Sequence, residues 1–555
     1  MGTVESPSDA VDAVPVAMPA DDATATVAPQ KQPPPEKPSE TRRRTLVVLS
    51  FWLVVVALGL PIWWKTTTIY RANLPLDRML QWAEGKACRP VFPLQISVRA
   101  AALARQEAQH LVRLTQHALD DLDDFSGHHL RLQLAPEQDG AASAAAHAEQ
   151  EPALTVRLLP GRASSSSLDP HTAVLNVTYP PNLIPPPNVS SSVLASFVAD
   201  ELRSTFAEEQ SIMSYMLSTS SMSPGGARRQ TQGAGGAEAL SKRTTKSLRY
   251  APTYHLTFSL FTDGAVPSTW DIEAAVDEYM KPVLDVLRPI HNFTMDTQVQ
   301  LYATPGVQSP VLSKEHLASF INAAEWPLSP SIGGAPTVNF VVFVGNQTIG
   351  LGADAGADAA GVETSQSWTI PQWGSVYLLP LTATATHVSR ETLKQPMLTF
   401  GGQLLSLLGT PQAGSLPLRL SALGRIRSTD LVLRASSTLG SLARLSRALP
   451  SISIPRSVAE GVSSTLHHLD RACASLGQPD GLRHARIAEQ EAERAFFEKS
   501  MVGQLYFPDE HKIAVYLPLL GPVGVPLVLG LVNELKRWLR RRSQRARDAE
   551  DKKSL

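Results

Sequence analysis

Two long runs of apolar residues lie near the two ends of the chain, and the positions between them alternate in shorter polar and apolar patterns. The first run extends from Leu46 to Trp64 and contains no charged residue. A helix needs roughly 20 apolar residues to cross a bilayer core about 30 Å thick, so this run is just long enough. Pro61 is expected to kink it, and Trp63 and Trp64 fall where indole rings prefer to lie, at the headgroup boundary. We predict a membrane-spanning helix over residues 45–65.

A cleavable signal peptide is the alternative interpretation of the first run. Three features disfavour it: the run is longer than a typical signal-peptide core, it starts about forty residues into the chain, and no small-x-small cleavage site follows it. The residues after the run read WWKTTTIYR, which favours a retained helix.

The second apolar run extends from Ile513 to Val532 and is also uncharged. Its three prolines, Pro518, Pro522 and Pro526, are costly in a soluble helix but are tolerated in a membrane when neighbouring groups bond the freed carbonyls. A basic run rich in arginine follows immediately. We predict a second membrane-spanning helix over residues 513–533.

Between the two runs, strand and helix patterns alternate. Period-2 or continuous apolar segments predict strands at residues 91–98, 129–134, 154–159, 173–178, 254–261, 297–302, 338–344 and 376–379. Helical periodicity predicts helices at residues 101–122, 193–216, 269–287, 313–324 and 390–408, and continues beyond residue 418. This alternation indicates an α/β fold, with a mixed sheet layered with helices. The helices after residue 418 are predicted to form a C-terminal helical stalk or to pack against the α/β body.

The predicted organisation has six parts. Residues 1–41 form a disordered cytoplasmic tail, 45–65 the first span, 66–417 a lumenal α/β domain with a flexible loop at 218–247, 418–511 a lumenal helical region, 513–533 the second span, and 534–555 a basic cytoplasmic tail.

Charge and glycosylation signals give the expected topology. Basic residues favour the cytoplasmic side, and they flank the first run at Arg42–Arg44 and the second run on its C-terminal side. Both termini are therefore predicted to be cytoplasmic. Four Asn-x-Ser/Thr acceptor signals lie between the runs, at Asn176, Asn188, Asn292 and Asn346. Their position agrees with a lumenal or extracellular middle region.

The chain has two cysteines, Cys88 and Cys473. On the oxidising side of a membrane they are able to form a disulfide that ties the two ends of the middle region together. Two unpaired buried thiols are the alternative, and the sequence leaves both open because a disulfide requires a specific geometry.

Composition and motifs point away from catalysis. The net charge of -1 gives no indication of nucleic-acid binding, and neither a Gly-x-Ser-x-Gly nor a His-Glu-x-x-His motif occurs. The histidines of His467-His468 are adjacent and do not share a helix face, which disfavours a metal site formed by that dipeptide. We therefore predict no catalytic, cofactor-binding or metal-binding residue.

Five residues around the end of the first run form a different kind of candidate site. They are Trp63, Trp64, Lys65, Tyr70 and Arg71. Aromatic and basic side chains anchor a helix at the membrane interface, and the same side chains are suited to packing against partner subunits.

The segment LGLPIWWKTTTIYRANLPL, Leu58 to Leu76, resembles the sequence after the first membrane helix in the PIG-S family, and YLPLLGPVGVPLVLGLVNELKRW resembles that family's C-terminal span. The resemblance implies a non-catalytic subunit of the glycosylphosphatidylinositol (GPI) transamidase of the endoplasmic reticulum. That complex attaches GPI anchors to the C-terminus of proteins, with the cysteine-protease chemistry in PIG-K. The implied partners are PIG-K, the GPI-anchor attachment protein, PIG-T and PIG-U, and no cofactor is implied. A membrane-anchored lumenal enzyme, such as a glycosyltransferase or hydrolase, is the alternative.

Overall fold

The structure is a computed structural model of the 555-residue chain. It describes residues 38–67, 70–121, 127–135, 152–220, 247–321, 334–350, 364–382, 384–450, 452–501 and 509–551. The chain divides into two compact units. We call Met1–Thr68 with Phe507–Leu555 the helix-pair unit, and Ile69–Tyr506 the α/β unit. The predicted tail before residue 38 and the predicted loop at 221–246 lie outside the described residues.

The helices and strands have the following bounds. The helices are α1 (Pro38–Val54), α2 (Leu60–Thr67), α3 (Leu76–Ala83), α4 (Arg105–Asp121), α5 (Val193–Thr219), α6 (Ile272–Ala275), α7 (Lys281–Leu287), α8 (His316–Ser319), α9 (Arg390–Leu407), α10 (Leu416–Ala448), α11 (Arg456–Ala474), α12 (Pro479–Phe496) and α13 (Asp509–Asp551). The strands are β1 (Phe92–Arg99), β2 (His128–Leu134), β3 (Leu154–Pro160), β4 (Ser165–Leu168), β5 (Val174–Tyr179), β6 (Thr253–Thr262), β7 (Thr269–Trp270), β8 (Asn292–Gln300), β9 (Val311–Leu312), β10 (Thr337–Val344), β11 (Thr348–Gly350), β12 (Thr364–Ser365), β13 (Ser367–Ile370), β14 (Gly374–Leu379) and β15 (His387–Val388).

In the helix-pair unit, α1 and α2 are joined by one turn of π-helix, Val55–Gly59. That turn ends two residues before Pro61. Pro61 has no N–H to donate to the preceding turn, and a π turn is one way for a helix to accommodate a proline. Within the described residues, one helical stretch, Ser39–Lys65, is long and apolar enough to cross a membrane. The second apolar run lies inside α13, and its crossing of a membrane remains a prediction.

The α/β unit contains two five-stranded sheets with the same topology. The first has the order β2-β1-β3-β5-β4, in which β4 is the antiparallel edge strand and the others are parallel. The second has the order β8-β6-β10-β14-β13, with β13 as the antiparallel edge strand. In sequence order, each sheet starts with an inner strand (β1 or β6), and a helical segment then leads to the parallel edge strand (β2 or β8). The last strand of each sheet (β5 or β14) is parallel to the first and is followed by a long helix, α5 or α9. The unit therefore repeats one α/β arrangement.

Burial on both faces explains the continuous apolar pattern of the second sheet. In β10, Phe340 and Val342 belong to the main hydrophobic core, whereas Val341 and Phe343 belong to a smaller cluster on the opposite face. Neighbouring side chains in a strand point to opposite faces, so a strand covered on both sides has no polar face. Dispersion and apolar burial across both faces hold this sheet in place.

The mixed α/β class is confirmed, although the chain forms two five-stranded sheets where one sheet was predicted. Of the two arrangements predicted for the C-terminal helices, α10 shows packing rather than a stalk, because Leu423, Leu431 and Leu439 of this 33-residue helix are fully buried. These side chains belong to the same core cluster as the sheets. α10 therefore packs into the α/β unit, since apolar burial along about four turns is incompatible with a solvated stalk.

Several predicted elements agree closely with the structure, and three differ. The helix predicted over 313–324 is limited to α8, with residues 322–324 outside the described residues, and the strand predicted at 297–302 is β8, which starts five residues earlier. α4, α5 and α9 occupy the predicted helices to within a few residues at each end. The helix predicted over 269–287 begins instead with β7 and contains a π turn at Val276–Met280. Pro282 follows this turn. Here, as at Pro61, a proline without an N–H group lies next to a π turn.

Candidate functional site

Arg71 covers the C-terminal end of α10. Its guanidinium donates to the carbonyl oxygens of Leu449 (3.1 Å) and Pro450 (2.7 Å), and to the hydroxyl (2.7 Å) and carbonyl of Ser446. The last carbonyls of a helix have no partner within the helix and carry a partial negative charge. A cation placed there bonds these groups and complements the helix dipole, so Arg71 fastens the start of the α/β unit to α10.

Main-chain bonds extend this attachment over the neighbouring residues. The amide of Ile454 donates to the carbonyl of Tyr70 (3.2 Å), and the amide of Ala72 donates to the carbonyl of Ile454 (2.9 Å). The Arg456 guanidinium lies 6.0 Å from the centre of the Tyr70 ring, at the limit of a cation–π contact. We call residues 70–72 with 446–456 the Arg71 clasp.

The helix that follows the clasp packs closely on α10. Met79 and Trp82 of α3 are buried, and the two helices approach at Gly440, where an added Cβ would lie 2.4 Å from the Cβ of Ala83. Arg447 of α10 also pairs with Asp77 of α3 at 2.9 Å. Glycine at position 440 is therefore required by the short distance between the two helices.

A disulfide joins Cys88 to Cys473, which are 385 residues apart in sequence, with Cα atoms 6.5 Å apart. That separation lies within the range of ordinary disulfides. The bond connects the segment after α3 to the last turn of α11. It therefore fastens the first residues of the α/β unit to its C-terminal helices.

The helix-pair unit has its own polar contact. The Glu534 carboxylate of α13 accepts hydrogen bonds from Arg44 Nε and from Thr45 Oγ1 of α1, both at 3.0 Å. Further along, Trp52 Nε1 donates to the carbonyl of Leu527 at 3.4 Å. The start of the first apolar helix thus meets the end of the second, so the two helices are antiparallel.

The five residues predicted as one interface are divided between the two units. Trp63 and Trp64 are exposed on α2, with 54% and 69% of their surfaces accessible, and Lys65 is exposed beside them. Tyr70 is exposed in the Arg71 clasp. Arg71 is hydrogen-bonded within its own chain.

The glycosylation signals differ in accessibility. Asn188, Asn292 and Asn346 are exposed, at the loop before α5, the start of β8 and the turn after β10. Asn176 is half-buried in β5, paired on both sides with β3 and β4, and its Oδ1 atom is buried. The Asn176 side chain is therefore less accessible for glycan attachment than the other three.

A buried ion pair connects the first sheet to the helices. Arg425 of α10 makes a bidentate pair with Glu209 of α5, at 2.7 and 2.8 Å, and His128 Nε2 lies 3.0 Å from Glu209 Oε1. Burial acts to raise the pKa of Glu209, but the charge and hydrogen bonds of Arg425 outweigh it and hold the pKa at about 2. Glu209 is therefore an ionised structural group.

A cleft of about 720 Å³ opens between α10, α12 and the segments that lead into β6 and β10. Arg434 Nη1 lies 3.2 Å from Glu489 on its wall, beside Glu493. Burial, and then the charge of Glu493, raises the pKa of Glu489, against the effect of Arg434. A carboxyl with a raised pKa in a cleft is the arrangement that a general acid uses, although the bond to Arg434 opposes that role.

Sequence reasoning missed the groups that connect distant parts of the chain. The partners of Arg71 lie about 375 positions away, and no local pattern specifies them. For Glu534 the sequence contains one indication of a polar contact: it is the single acidic residue between the second apolar run and the basic run that follows.

Known proteins resemble the chain over nearly its whole length. The family model described as "PIG-S: Phosphatidylinositol-glycan biosynthesis class S protein" matches residues 50–541. The "GPI transamidase component PIG-S homolog" of Schizosaccharomyces pombe is 26% identical over 91% of this chain and 86% of its own length. The "GPI-anchor transamidase component PIGS" of Homo sapiens is 27% identical over 89% of this chain and 95% of its own length. The match includes most of the first apolar helix, the whole α/β unit and the second apolar run, so the chain belongs to the PIG-S family.

Proposed function

We propose that this chain is a non-catalytic subunit of the GPI transamidase of the endoplasmic reticulum, which attaches GPI anchors to the C-terminus of proteins. The observation that carries the proposal is the PIG-S match over residues 50–541. It is supported by relatives from yeast and mammals that are named as components of this transamidase.

The state of the cysteines supports a non-catalytic role. Cys88 and Cys473 are the chain's two cysteines, and they are bonded to each other. A cysteine nucleophile has to be a thiolate, and a sulfur held in a disulfide is not one. The thiol chemistry of anchor attachment is therefore assigned to a different subunit, PIG-K.

The proposed topology has two spans, at 45–65 and 513–533, with both termini in the cytoplasm. The antiparallel contact of Arg44 and Thr45 with Glu534 supports it, because it brings the outer ends of both apolar runs to one side. Basic residues flank these same ends. The region between the spans, with its α/β domain (66–417) and helical region (418–511), would then be lumenal.

Two features support lumenal placement of that region. Its disulfide is the kind of bond that persists in an oxidising compartment. Its acceptor asparagines at positions 188, 292 and 346 are exposed, as glycosylation requires.

The proposed partners are PIG-K, the GPI-anchor attachment protein, PIG-T and PIG-U. Trp63 and Trp64 are the candidate contacts within the membrane interface, because large exposed aromatic side chains are enriched both at membrane boundaries and in subunit contacts. Tyr70, exposed in the Arg71 clasp, is the corresponding candidate in the α/β unit.

Affinity purification of the tagged full chain in mild detergent tests the proposal. We expect PIG-K to be recovered in stoichiometric amount, and Trp64→Ala to lower this recovery while the disulfide and the unfolding midpoint stay unchanged. A matched control is Phe497→Ala, which removes an exposed aromatic side chain far along the chain. Recovery of the pure chain alone would refute the proposed function.

An enzymatic role has one observation in its favour, the raised pKa of Glu489 in the cleft. It predicts that Glu489→Gln abolishes function while the subunits still assemble. The subunit proposal predicts instead that a folded Glu489→Gln protein supports anchor attachment in cells at the wild-type level.

A further inference from the structure

Two histidine side chains face each other between neighbouring helices of the α/β unit. His468 lies on α11 and His484 on α12, and their Nδ1 atoms are 2.9 Å apart. The ring centres are 5.1 Å apart, with an angle of 31° between the ring planes. Both residues are half-buried. The structure thus brings together two imidazoles from different helices.

The facing nitrogens are close enough for a hydrogen bond. Burial, followed by the charges of His484 and His467, lowers the pKa of His468, while Glu491 acts in the opposite direction and Arg483 in the same direction. A neutral imidazole has one nitrogen that donates and one that accepts. One ring therefore donates its Nδ1–H and the other accepts it.

The same geometry is close to what a transition-metal ion needs. Zinc binds histidine nitrogens at about 2.0–2.1 Å in a tetrahedral arrangement, which places two such nitrogens about 3.3 Å apart. The observed 2.9 Å is shorter by about 0.4 Å, so the two rings would have to turn apart to admit an ion. The ring that donates Nδ1–H in this contact would have to carry its proton on Nε2 before both Nδ1 atoms could bind an ion.

We propose that His468 and His484 bind a divalent transition-metal ion, zinc or copper, through their Nδ1 atoms, and so join α11 to α12. Imidazole is a preferred ligand for both metals. Within the described ranges, no group of three or more His, Cys, Asp and Glu side chains is placed to hold a metal, so water completes the coordination of this two-histidine site. The proposal does not depend on the transamidase assignment.

The position of the pair gives the metal a structural effect. Cys473, five residues after His468, carries the disulfide on the same helix. α11 and α12 also pack tightly where an added Cβ at Gly461 would lie 3.0 Å from the Cβ of Ala495. A bound ion would add a second cross-link to α11 and raise the stability of the helical region by an amount that grows with the logarithm of its affinity.

The test uses the full chain in detergent, with an affinity tag that contains no histidine and after removal of metal with a chelator. Copper(II) paramagnetic resonance at pH 7.5 should show coordination by two imidazole nitrogens, and zinc calorimetry should give one site. His468→Ala and His484→Ala should each weaken that site at least tenfold, and His468→Asn and His484→Asn serve as second variants if either alanine form fails to fold. His467→Ala, which removes the exposed neighbouring ring, is the matched control and should leave binding unchanged.

Three outcomes would overturn the proposal. They are an unaltered site in folded variants of both His468 and His484, a copper spectrum with a single nitrogen ligand, and a site lost only in His467→Ala.

Discussion

At the scale of single residues, the side chains that matter most are charged groups that bond within the chain. Arg71 bonds the end of α10, Glu209 holds Arg425 in the interior, and Glu534 joins the two apolar helices. Each satisfies a polar group whose solvation would otherwise be lost. These residues therefore set the geometry on which any partner surface depends.

Replacing Arg71 by alanine should lower the free energy of unfolding by about 1–2 kcal/mol, because charged hydrogen bonds to the end of α10 are lost. Urea unfolding of the full chain in detergent measures this. Arg444→Ala is the matched control. Arg444 is an exposed arginine on α10 that donates a hydrogen bond to the Ser441 hydroxyl. Equal effects of the two substitutions would contradict the capping role of Arg71.

Glu209 predicts a specific acid sensitivity. Its pKa is lowered from 4.5 to about 2 in the folded chain, so its contribution to stability is fully present above about pH 4.5 and is lost as the pH falls toward 2. Glu209→Gln should cost about 3 kcal/mol at neutral pH and should flatten the decline of stability below pH 4.5. Unfolding midpoints between pH 2 and pH 7 test this, with the exposed Glu460→Gln as control, and an equally steep decline in Glu209→Gln would refute it.

At the scale of elements, the contact between α3 and α10 controls how the start of the α/β unit is held. It combines a close approach at Gly440, an ion pair between Arg447 and Asp77, and the neighbouring disulfide. The sequence predicts that α10 is helical, but it does not predict which of its residues are buried. The apolar residues of α10 extend around more than one face of the helix, and only tertiary contacts decide which of these faces is buried.

Two glycine substitutions should have opposite signs. Gly440→Ala should destabilise the chain by about 1–3 kcal/mol, because its Cβ collides with Ala83 in a packed core. Gly402→Ala on α9 has open space around the new Cβ and should stabilise the chain by about 0.5–1 kcal/mol through higher helix propensity. Thermal unfolding of both variants measures the contrast, and a stabilising Gly440→Ala would contradict the close approach.

At the scale of the whole molecule, the sequence predicts the two apolar helices' positions, the α/β class and most strands, because these depend on local periodicity. Strand order and the repeated topology depend on contacts between distant strands, such as β6 with β10, and are not visible in any local pattern. The partners of Arg71 and His468 were missed for the same reason. PIG-S membership is the part of the functional interpretation that rests on a family match over most of the chain, residues 50–541.

The topology predicts which acceptor asparagines carry glycans. Replacing Asn188, Asn292 or Asn346 by glutamine should each remove one glycan and increase gel mobility, because all three are exposed. Asn176→Gln should leave the mobility unchanged, because this side chain is packed within the first sheet. Treatment with a glycosidase should abolish all differences, and a chain insensitive to glycosidase would contradict the lumenal placement.

The central claim is that the chain serves GPI attachment as a subunit without a nucleophile of its own. Surface display of a GPI-anchored reporter, in cells whose own copy of this chain has been removed, tests it most directly. Display should be lost on removal, and the intact chain or a folded Glu489→Gln variant should restore it to the same level. Unchanged display after removal would contradict membership in the transamidase, and failure of assembled Glu489→Gln to restore display would contradict the non-catalytic role.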